Sequence, residues 1–175
     1  SYVTSQIFLN DAATPLGLAT DITGSARSLT TPDMGAYEFS PMGTDAAIID
    51  IITPEAPFAL GNHDVRVILQ NTGAVTLTAV DIEGTVNGVA QTVVNWTGSL
   101  ASGDTTTVTF TTVNFGVNQG YDFVINSANP NGTTDAFPAN DTATLSDIYA
   151  ALAGTYTVGG SSPDFNNFTE VATQL

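Results

Sequence analysis

The feature that most constrains the fold is a series of short runs, between residues 45 and 148, in which apolar side chains occupy every second position. Val65, Val67 and Leu69 form the clearest run. A period of two places these side chains on one face of a β-strand, and no helical period interrupts the series. The Asn87-Gly88 pair predicts a two-residue hairpin, because a type I′ turn needs positive φ at both positions.

Seven strands are predicted from these runs and from the turn residues between them. They cover residues 46–52, 65–70, 77–86, 89–96, 106–113, 121–125 and 142–148. Seven short strands with turns roughly every 8 to 12 residues predict an immunoglobulin-like β-sandwich, so the fold class is mainly β. The chain contains no cysteine, and apolar packing alone must therefore hold the two sheets together.

The charge of the chain is strongly one-sided. Seventeen acidic residues stand against two arginines and one histidine, which gives a net charge of −15. Two cationic side chains cannot neutralise a run of phosphates, so nucleic acid is excluded as a partner. No apolar run approaches the roughly 18 residues of a membrane span, so membrane insertion is not expected. Because the sequence starts at Ser1 without methionine, we expect an excerpt of a longer exported polypeptide.

Turn-rich stretches at residues 40–43 and 150–154 divide the chain. The predicted domains are a leading segment at residues 1–43, a central sandwich at residues 44–149 and a tail at residues 150–175.

Three short patterns follow one another in the central domain. They are Asn-Thr-Gly at residues 71–73, Leu-Ala-Ser-Gly at residues 100–103 and Asn-Asp-Thr at residues 140–142. In this order and spacing they resemble the CARDB-type adhesin modules of bacterial surface proteins. The resemblance covers most of the central domain and implies an adhesin module with an immunoglobulin-like fold.

The leading segment contains Asp-x-x-Gly-x-x-Arg at residues 21–27 and Pro-Asp-Met-Gly-Ala-Tyr-Glu at residues 32–38. These patterns resemble the closing coil of a right-handed parallel β-helix, in which isoleucine is usual in place of Met34. The resemblance implies that residues 1–43 form the C-terminal cap of such a β-helix.

The acidic side chains of this cap have two interpretations. Arg27 can bind carboxylates in a bidentate manner, and we expect structural ion pairs with Asp33 and Glu38. Alternatively, Asp21, Asp33 and Glu38 could supply the paired carboxylates of a polysaccharide-cleaving site, since many β-helix proteins cleave polysaccharides. Structural pairing is favoured, because the segment resembles an end cap and not a mid-helix groove.

The tail resembles the opposite event, the start of a second β-helix through a capping helix. Ser162 is a suitable N-cap, Pro163 suits the first helical position, and Asp164 complements the helix dipole. Apolar side chains then fall on one helical face. These are Phe165, Phe168, Val171, Ala172 and Leu175.

Together the segments resemble part of a giant Bacteroidetes gliding-motility or surface adhesin exported by the type IX route. The function this implies is a structural and adhesive repeat segment of a long filament on the outer membrane at the cell surface. Its partners would be neighbouring repeats of the same chain, with surface polysaccharide or the substratum as a further contact. Two alternatives remain open: an accessory carbohydrate-binding part of a polysaccharide-active enzyme, and a phage or cell-envelope lattice fibre.

No catalytic or cofactor-binding residues are predicted. His63 could act as a base with Asp64, but a lone loop histidine is more often a solvated turn residue. Trp96 and Tyr121 could form a sugar-binding platform, but a tryptophan in such a strand is more often part of the core.

Calcium is the one cofactor that the composition suggests. Asp135, Asn140 and Asp141 lie in one predicted loop, and Asp45 lies at the junction with the leading segment. No EF-hand pattern is present, so the favoured interpretation is a solvated acidic surface, with calcium as the alternative.

Two threonines match a short modification pattern. Asp104-Thr105-Thr106 and Asp141-Thr142-Ala143 fit the Asp-Thr sequon that Bacteroidetes use for O-glycosylation of exported proteins. The resemblance therefore implies glycans on Thr105 and Thr142, and the alternative is that both are ordinary strand-edge threonines.

Overall fold

The computed structural model of the protein describes residue 9 and residues 11–38 and 43–173. The regular structure in this part is mainly β, as predicted. The eight strands are β1 (Ala46–Thr53), β2 (Gly61–Asn71), β3 (Leu77–Val86), β4 (Val89–Ala90), β5 (Val94–Leu100), β6 (Thr105–Phe115), β7 (Tyr121–Ala128) and β8 (Thr142–Ile148). A short 3-10 helix spans Pro130–Gly132, and one α-helix, α1, spans Phe168–Ala172. No helix among the described residues is long and apolar enough to cross a membrane.

The strands form two antiparallel sheets. One has the order β1-β2-β6; the other has the order β4-β3-β7-β8, with β5 also paired to β3. In the first sheet Leu69 lies opposite Thr106, and in the second Gly84 lies opposite Ile125. The predicted two-sheet sandwich is therefore confirmed.

The predicted number of seven strands is wrong by one. Asn87 and Gly88 have φ values of 50° and 75°, so the hairpin forms as expected. Its returning strand, however, breaks after two residues. The Gln91 side chain donates to the carbonyl of Val89, and pairing with β3 resumes where Val94 lies opposite Ile82. The predicted strand 89–96 is thus divided into β4 and β5.

The core lies between the two sheets. Alternate positions of β2 are fully buried at Val65, Val67 and Leu69, as the period of two predicts. They belong to one cluster with Ile82 and Phe123 of the other sheet. Each such side chain contributes roughly 1.5–3 kcal/mol by leaving water, and this packing joins the sheets without a disulfide.

The leading segment is described at residue 9 and over residues 11–38. Within these residues it contains a single bridge, between Thr20 and Ala26, and no longer strand. Backbone hydrogen bonds, such as that from the amide of Ile22 to the carbonyl of Ala36, and side-chain bonds to the backbone hold it together. Asp21 Oδ1 accepts from the amides of Thr23 and Ser25, and Asp21 Oδ2 accepts from the amide of Glu38. The flanking β-helix stays a prediction.

The predicted start of the capping helix in the tail is wrong. Ser162 has a φ of 55° and does not begin a helix. Asp164 instead accepts bonds from the amide and hydroxyl of Thr157, which holds this stretch in a turn. Helix α1 starts later, where Asn167 caps the amide of Glu170. Of the predicted helical face, Phe165 is buried outside the helix, Phe168 is 79% exposed, and Leu175 lies outside the described residues.

Candidate metal centre

Three aspartates from distant parts of the chain meet at one end of the sandwich. Asp45 precedes β1, Asp135 lies in the loop after β7, and Asp141 precedes β8. One carboxylate oxygen from each lies within 4.8 Å of the other two. The sequence named all three as calcium candidates, and the fold brings them together.

Backbone contacts fix the position of Asp45. Its carbonyl accepts from the amides of Thr72 and Gly73, at 3.1 and 3.0 Å. A Cβ on Gly73 would lie 2.6 Å from the amide nitrogen of Asp45 and 2.5 Å from the carbonyl oxygen of Gly43. The Asn-Thr-Gly turn therefore needs its glycine so that the chain can pass closely at this point.

Asp135 and Asp141 are positioned by the strands on either side. Both oxygens of Asp135 accept amide bonds, from Ala46 at 3.0 Å and from Phe137 at 2.7 Å. The carbonyl of Asp141 accepts from Ile48 of β1 and from Ser127 of β7. Since β1 and β7 belong to different sheets, Asp141 lies at the seam between them.

The cluster contains buried oxygens that the protein does not satisfy. Asp45 is completely buried, and Asp141 is 9% exposed. Within the described part of the chain, Oδ1 of Asp45, Asp141 and Asn140 has no hydrogen-bond partner. The side-chain nitrogen Nδ2 of Asn140 donates to Asp45 Oδ2 at 3.3 Å and to Thr72 Oγ1 at 3.4 Å. A buried polar group without a partner is costly, so these oxygens require a counter-group.

The environment disfavours the ionised form of two of these carboxylates. Burial, together with the neighbouring Asp135, raises the pKa of Asp45 to about 6. Burial and the negative charges of Asp135 and Asp45 raise the pKa of Asp141 to about 7. Two full charges 4.8 Å apart repel by roughly 3.5 kcal/mol at an effective dielectric constant of about 20. Asp45 and Asp141 are therefore buried, and the interpretation of these two residues as part of a solvated acidic surface is wrong.

Among the described residues, no cationic side chain balances the cluster. The chain has two arginines in all. Arg27 Nε pairs with Glu38 at 3.1 Å, and Arg66 pairs with Asp64 at 3.4 Å. Bound protons or a small cation with a preference for oxygen ligands can neutralise the three aspartates.

The leading segment places the expected cap residues around Arg27. The two terminal nitrogens of the Arg27 guanidinium donate to the carbonyl oxygens of Gly35 and Asp33. Asp33 therefore contacts Arg27 through its backbone, while its carboxylate accepts from the amide of Asp11 at 2.7 Å. Of the two ion pairs expected for Arg27, the described residues show the one with Glu38.

The proposed His63–Asp64 pair does not form. His63 lies in β2, not in a loop, and its Nε2 is 2.7 Å from the carbonyl oxygen of Ala59. Its ring packs edge-on against Phe58, with centroids 5.2 Å apart. Asp64 accepts from the hydroxyl of Thr112 instead. The histidine is thus a packed strand residue, and the solvated-turn interpretation is wrong.

Trp96 and Tyr121 do not form a sugar-binding platform. Tyr121 is 4% exposed, and its hydroxyl donates to the carbonyl of Asn114 and accepts from the amide of Gly116. Trp96 is half-buried against the core. Both aromatic rings therefore belong to the packing of the sandwich.

The two threonines of the Asp-Thr sequons lie at the starts of strands. Thr105 is the first residue of β6 and Thr142 is the first residue of β8, and both are exposed. Their preceding aspartates differ, since Asp104 is exposed and Asp141 is buried.

The sandwich is similar to domains of known structure. A domain of a protein named as a cell surface protein in Methanosarcina acetivorans superposes with a TM-score of 0.53 at 20% identity, over 66% of this chain and 98% of that domain. The CARDB domain of a Pyrococcus furiosus protein, solved in complex with di-metal ions, gives a TM-score of 0.49 at 18% identity, over 63% of this chain and 91% of that domain. No protein-family model and no curated protein matches the chain. At these identities the first likeness shows a shared fold.

Proposed function

We propose that the chain is a non-catalytic structural and adhesive segment of a long cell-surface filament, repeated along the parent protein. The observation that supports this most is the path of the chain through the sandwich. It enters at Asp45, beside the start of β8 at Asp141. It leaves after β8 at the other end, where the amide of Ala151 donates to the carbonyl of Phe58 at 2.7 Å.

Opposite attachment points suit a module that is strung in series and placed under load. Strand β1 has eight residues, which at about 3.3 Å per residue separates the two ends by roughly 26 Å. Antiparallel ladder hydrogen bonds lie perpendicular to the strands. A pull along the filament therefore loads the β1–β2 and β7–β8 ladders in shear, across all their bonds at once.

The charge and the resemblances support the finer parts of the proposal. A net charge of −15 in every repeat would keep neighbouring filaments apart, within the roughly 8 Å screening length of physiological salt. The fold shared with the Methanosarcina domain occurs in a protein named for the cell surface. Export by the type IX route, attachment to the outer membrane and a role in adhesion or gliding rest on the sequence resemblance.

Labelling of intact cells tests the proposal. Antibodies raised against the chain should label unpermeabilised cells of the source organism, and mild protease treatment of those cells should remove the label. On an immunoblot they should detect a polypeptide far larger than the 18.0 kDa of this chain. A cytosolic protein that stays unlabelled and intact is the control. Labelling only after permeabilisation would overturn the surface location, and a single 18 kDa band would overturn the filament.

A further inference from the structure

We propose that Asp45, Asp135 and Asp141, with the side-chain amide oxygen of Asn140, form a binding site for a divalent cation with the coordination chemistry of calcium. The inference is independent of the role in a surface filament, since it concerns this sandwich alone. It rests on two separate observations: the convergence of three carboxylates and the unpartnered buried oxygens beside them.

The unpartnered oxygens are the stronger observation. A cluster of acids at a surface can be left to water, but Asp45 is completely buried and Asp141 is nine-tenths buried. Each has an oxygen with no hydrogen-bond partner in the described ranges, and so has the amide of Asn140. That amide directs its nitrogen to Asp45 and Thr72, which leaves its oxygen available as a ligand.

The donor set selects the class of cation. All four residues offer oxygen, and the ring of the one histidine packs against Phe58 and Phe115 elsewhere in the sandwich. Hard cations prefer such ligands, and calcium accepts six to eight of them in flexible geometry. Two oxygens that bind one calcium ion at roughly 2.4 Å can lie up to about 4.8 Å apart, as these carboxylates do. Three carboxylates also supply the charge that a divalent ion requires.

A bound ion would join the two sheets at the end where the chain enters. Asp45 leads into β1 and Asp141 into β8, which are edge strands of different sheets. The ion would add a link at this seam to the bonds from Ile48 and Ser127 to the carbonyl of Asp141. It would therefore restrain the first strand against being pulled away from the sandwich.

Calorimetric titration and thermal unfolding of the full 175-residue chain test the site, after treatment with chelator and in 150 mM sodium chloride to suppress general charge effects. We expect calcium chloride to bind and, at a hundred times its Kd, to raise the Tm by roughly 5–10 °C. Magnesium chloride at the same concentration should raise the Tm less, because magnesium demands a smaller octahedral shell.

Matched Asp→Asn variants locate the binding. Asp141→Asn should weaken calcium binding at least tenfold and remove the Tm rise, and Asp135→Asn gives a second measurement should the first variant unfold. Asp104→Asn changes an exposed aspartate in a turn outside the cluster and should bind like the parent chain. The proposal is overturned if calcium at 5 mM gives neither heat nor a Tm change, or if Asp135→Asn and Asp141→Asn respond like Asp104→Asn.

Discussion

Asp45 and Asp141 precede the edge strands of opposite sheets, and one carboxylate oxygen of Asp45 lies within 4.8 Å of one of Asp141. Each has an oxygen that accepts no hydrogen bond from the described residues. Because both carboxyl groups are buried and close together, the stability of this end of the sandwich depends on whether protons or cations neutralise them.

In the absence of divalent cations, we expect the free energy of unfolding to fall as the pH rises from about 5 to 8. The folded-state pKa values of about 6 for Asp45 and about 7 for Asp141 lie above their ordinary value of 3.8. The folded chain therefore binds more protons than the unfolded chain in this range, and the stability present at low pH is lost as both groups ionise. Urea unfolding in chelator at several pH values measures this slope, which is at most about 1.4 kcal/mol per pH unit for each proton.

The Asp141→Asn variant is the control for that slope. It cannot ionise, so it should be more stable than the parent chain at pH 8 and should lose less stability between pH 5 and 8. Carboxylates with lowered pKa values affect stability in a different pH range. The hydroxyl of Thr23 and nearby backbone amides lower the pKa of Asp21 to about 2. The stability that ionised Asp21 contributes is therefore lost only in stronger acid. An unchanged slope in the variant would show that other groups cause the dependence.

Local signals in the sequence were sufficient where neighbouring residues decide the structure. The Asn87-Gly88 turn and the strand 77–86 follow from φ preferences and alternation alone. The start of α1 did not, because Asp164 bonds to Thr157 across a turn and so cannot act as the first-turn acid of a helix. The bond to Thr157 competes with the helix-capping role of Asp164. A sequence pattern for helix starts does not include a contact seven residues away, so it could not predict this outcome.

The candidate site illustrates the same limit at longer range. Asp45, Asp135, Asn140 and Asp141 could be named from the sequence, because carboxylates and amides in loops are ordinary calcium ligands. Their burial could not be predicted, since Asp45 and Asp141 are 96 positions apart in the sequence and meet only through the packing of β1 against β8. An aspartate directly before an apolar first strand was the one available signal.

Aromatic packing around Phe115 should dominate the stability of the far end. Phe115 is 1% exposed and lies 4.8 Å from Phe58 and 4.4 Å from Tyr121, measured between ring centroids. Phe115→Ala should lower the free energy of unfolding by about 3–5 kcal/mol, because it leaves a cavity among rings that cannot collapse into it. Phe168→Ala removes the same ring from a side chain that is 79% exposed, and it should lower the free energy of unfolding by less than about 0.5 kcal/mol. Chemical denaturation of both variants measures the difference, and equal losses would contradict it.

Asn71 should be the most costly polar side chain to remove. It is fully buried, and its amide nitrogen donates to the carbonyls of Val75 and Leu100 while its Oδ1 accepts from the amide of Gly73. Asn71→Ala should destabilise the protein by about 2–3 kcal/mol, because it leaves buried backbone groups without partners. Asn95→Ala, which removes one exposed bond to Asp81, is the matched control and should cost under about 1 kcal/mol. A loss at position 71 no greater than that at position 95 would contradict this assignment.

In native material from the source organism, we expect a glycan on Thr105 and not on Thr142. Both hydroxyl-bearing residues are exposed, but an enzyme that reads an Asp-Thr pair on the folded chain must also reach the aspartate. Asp104 is accessible in its turn, whereas Asp141 is 9% exposed within the acidic cluster. Peptide mass spectrometry of the native protein should therefore find added hexose mass on the peptide containing Thr105, and a Thr105→Ala variant expressed in the same organism should lose it. An unmodified native chain would remove the sequon hypothesis, and equal modification of Thr142 would show that transfer precedes folding.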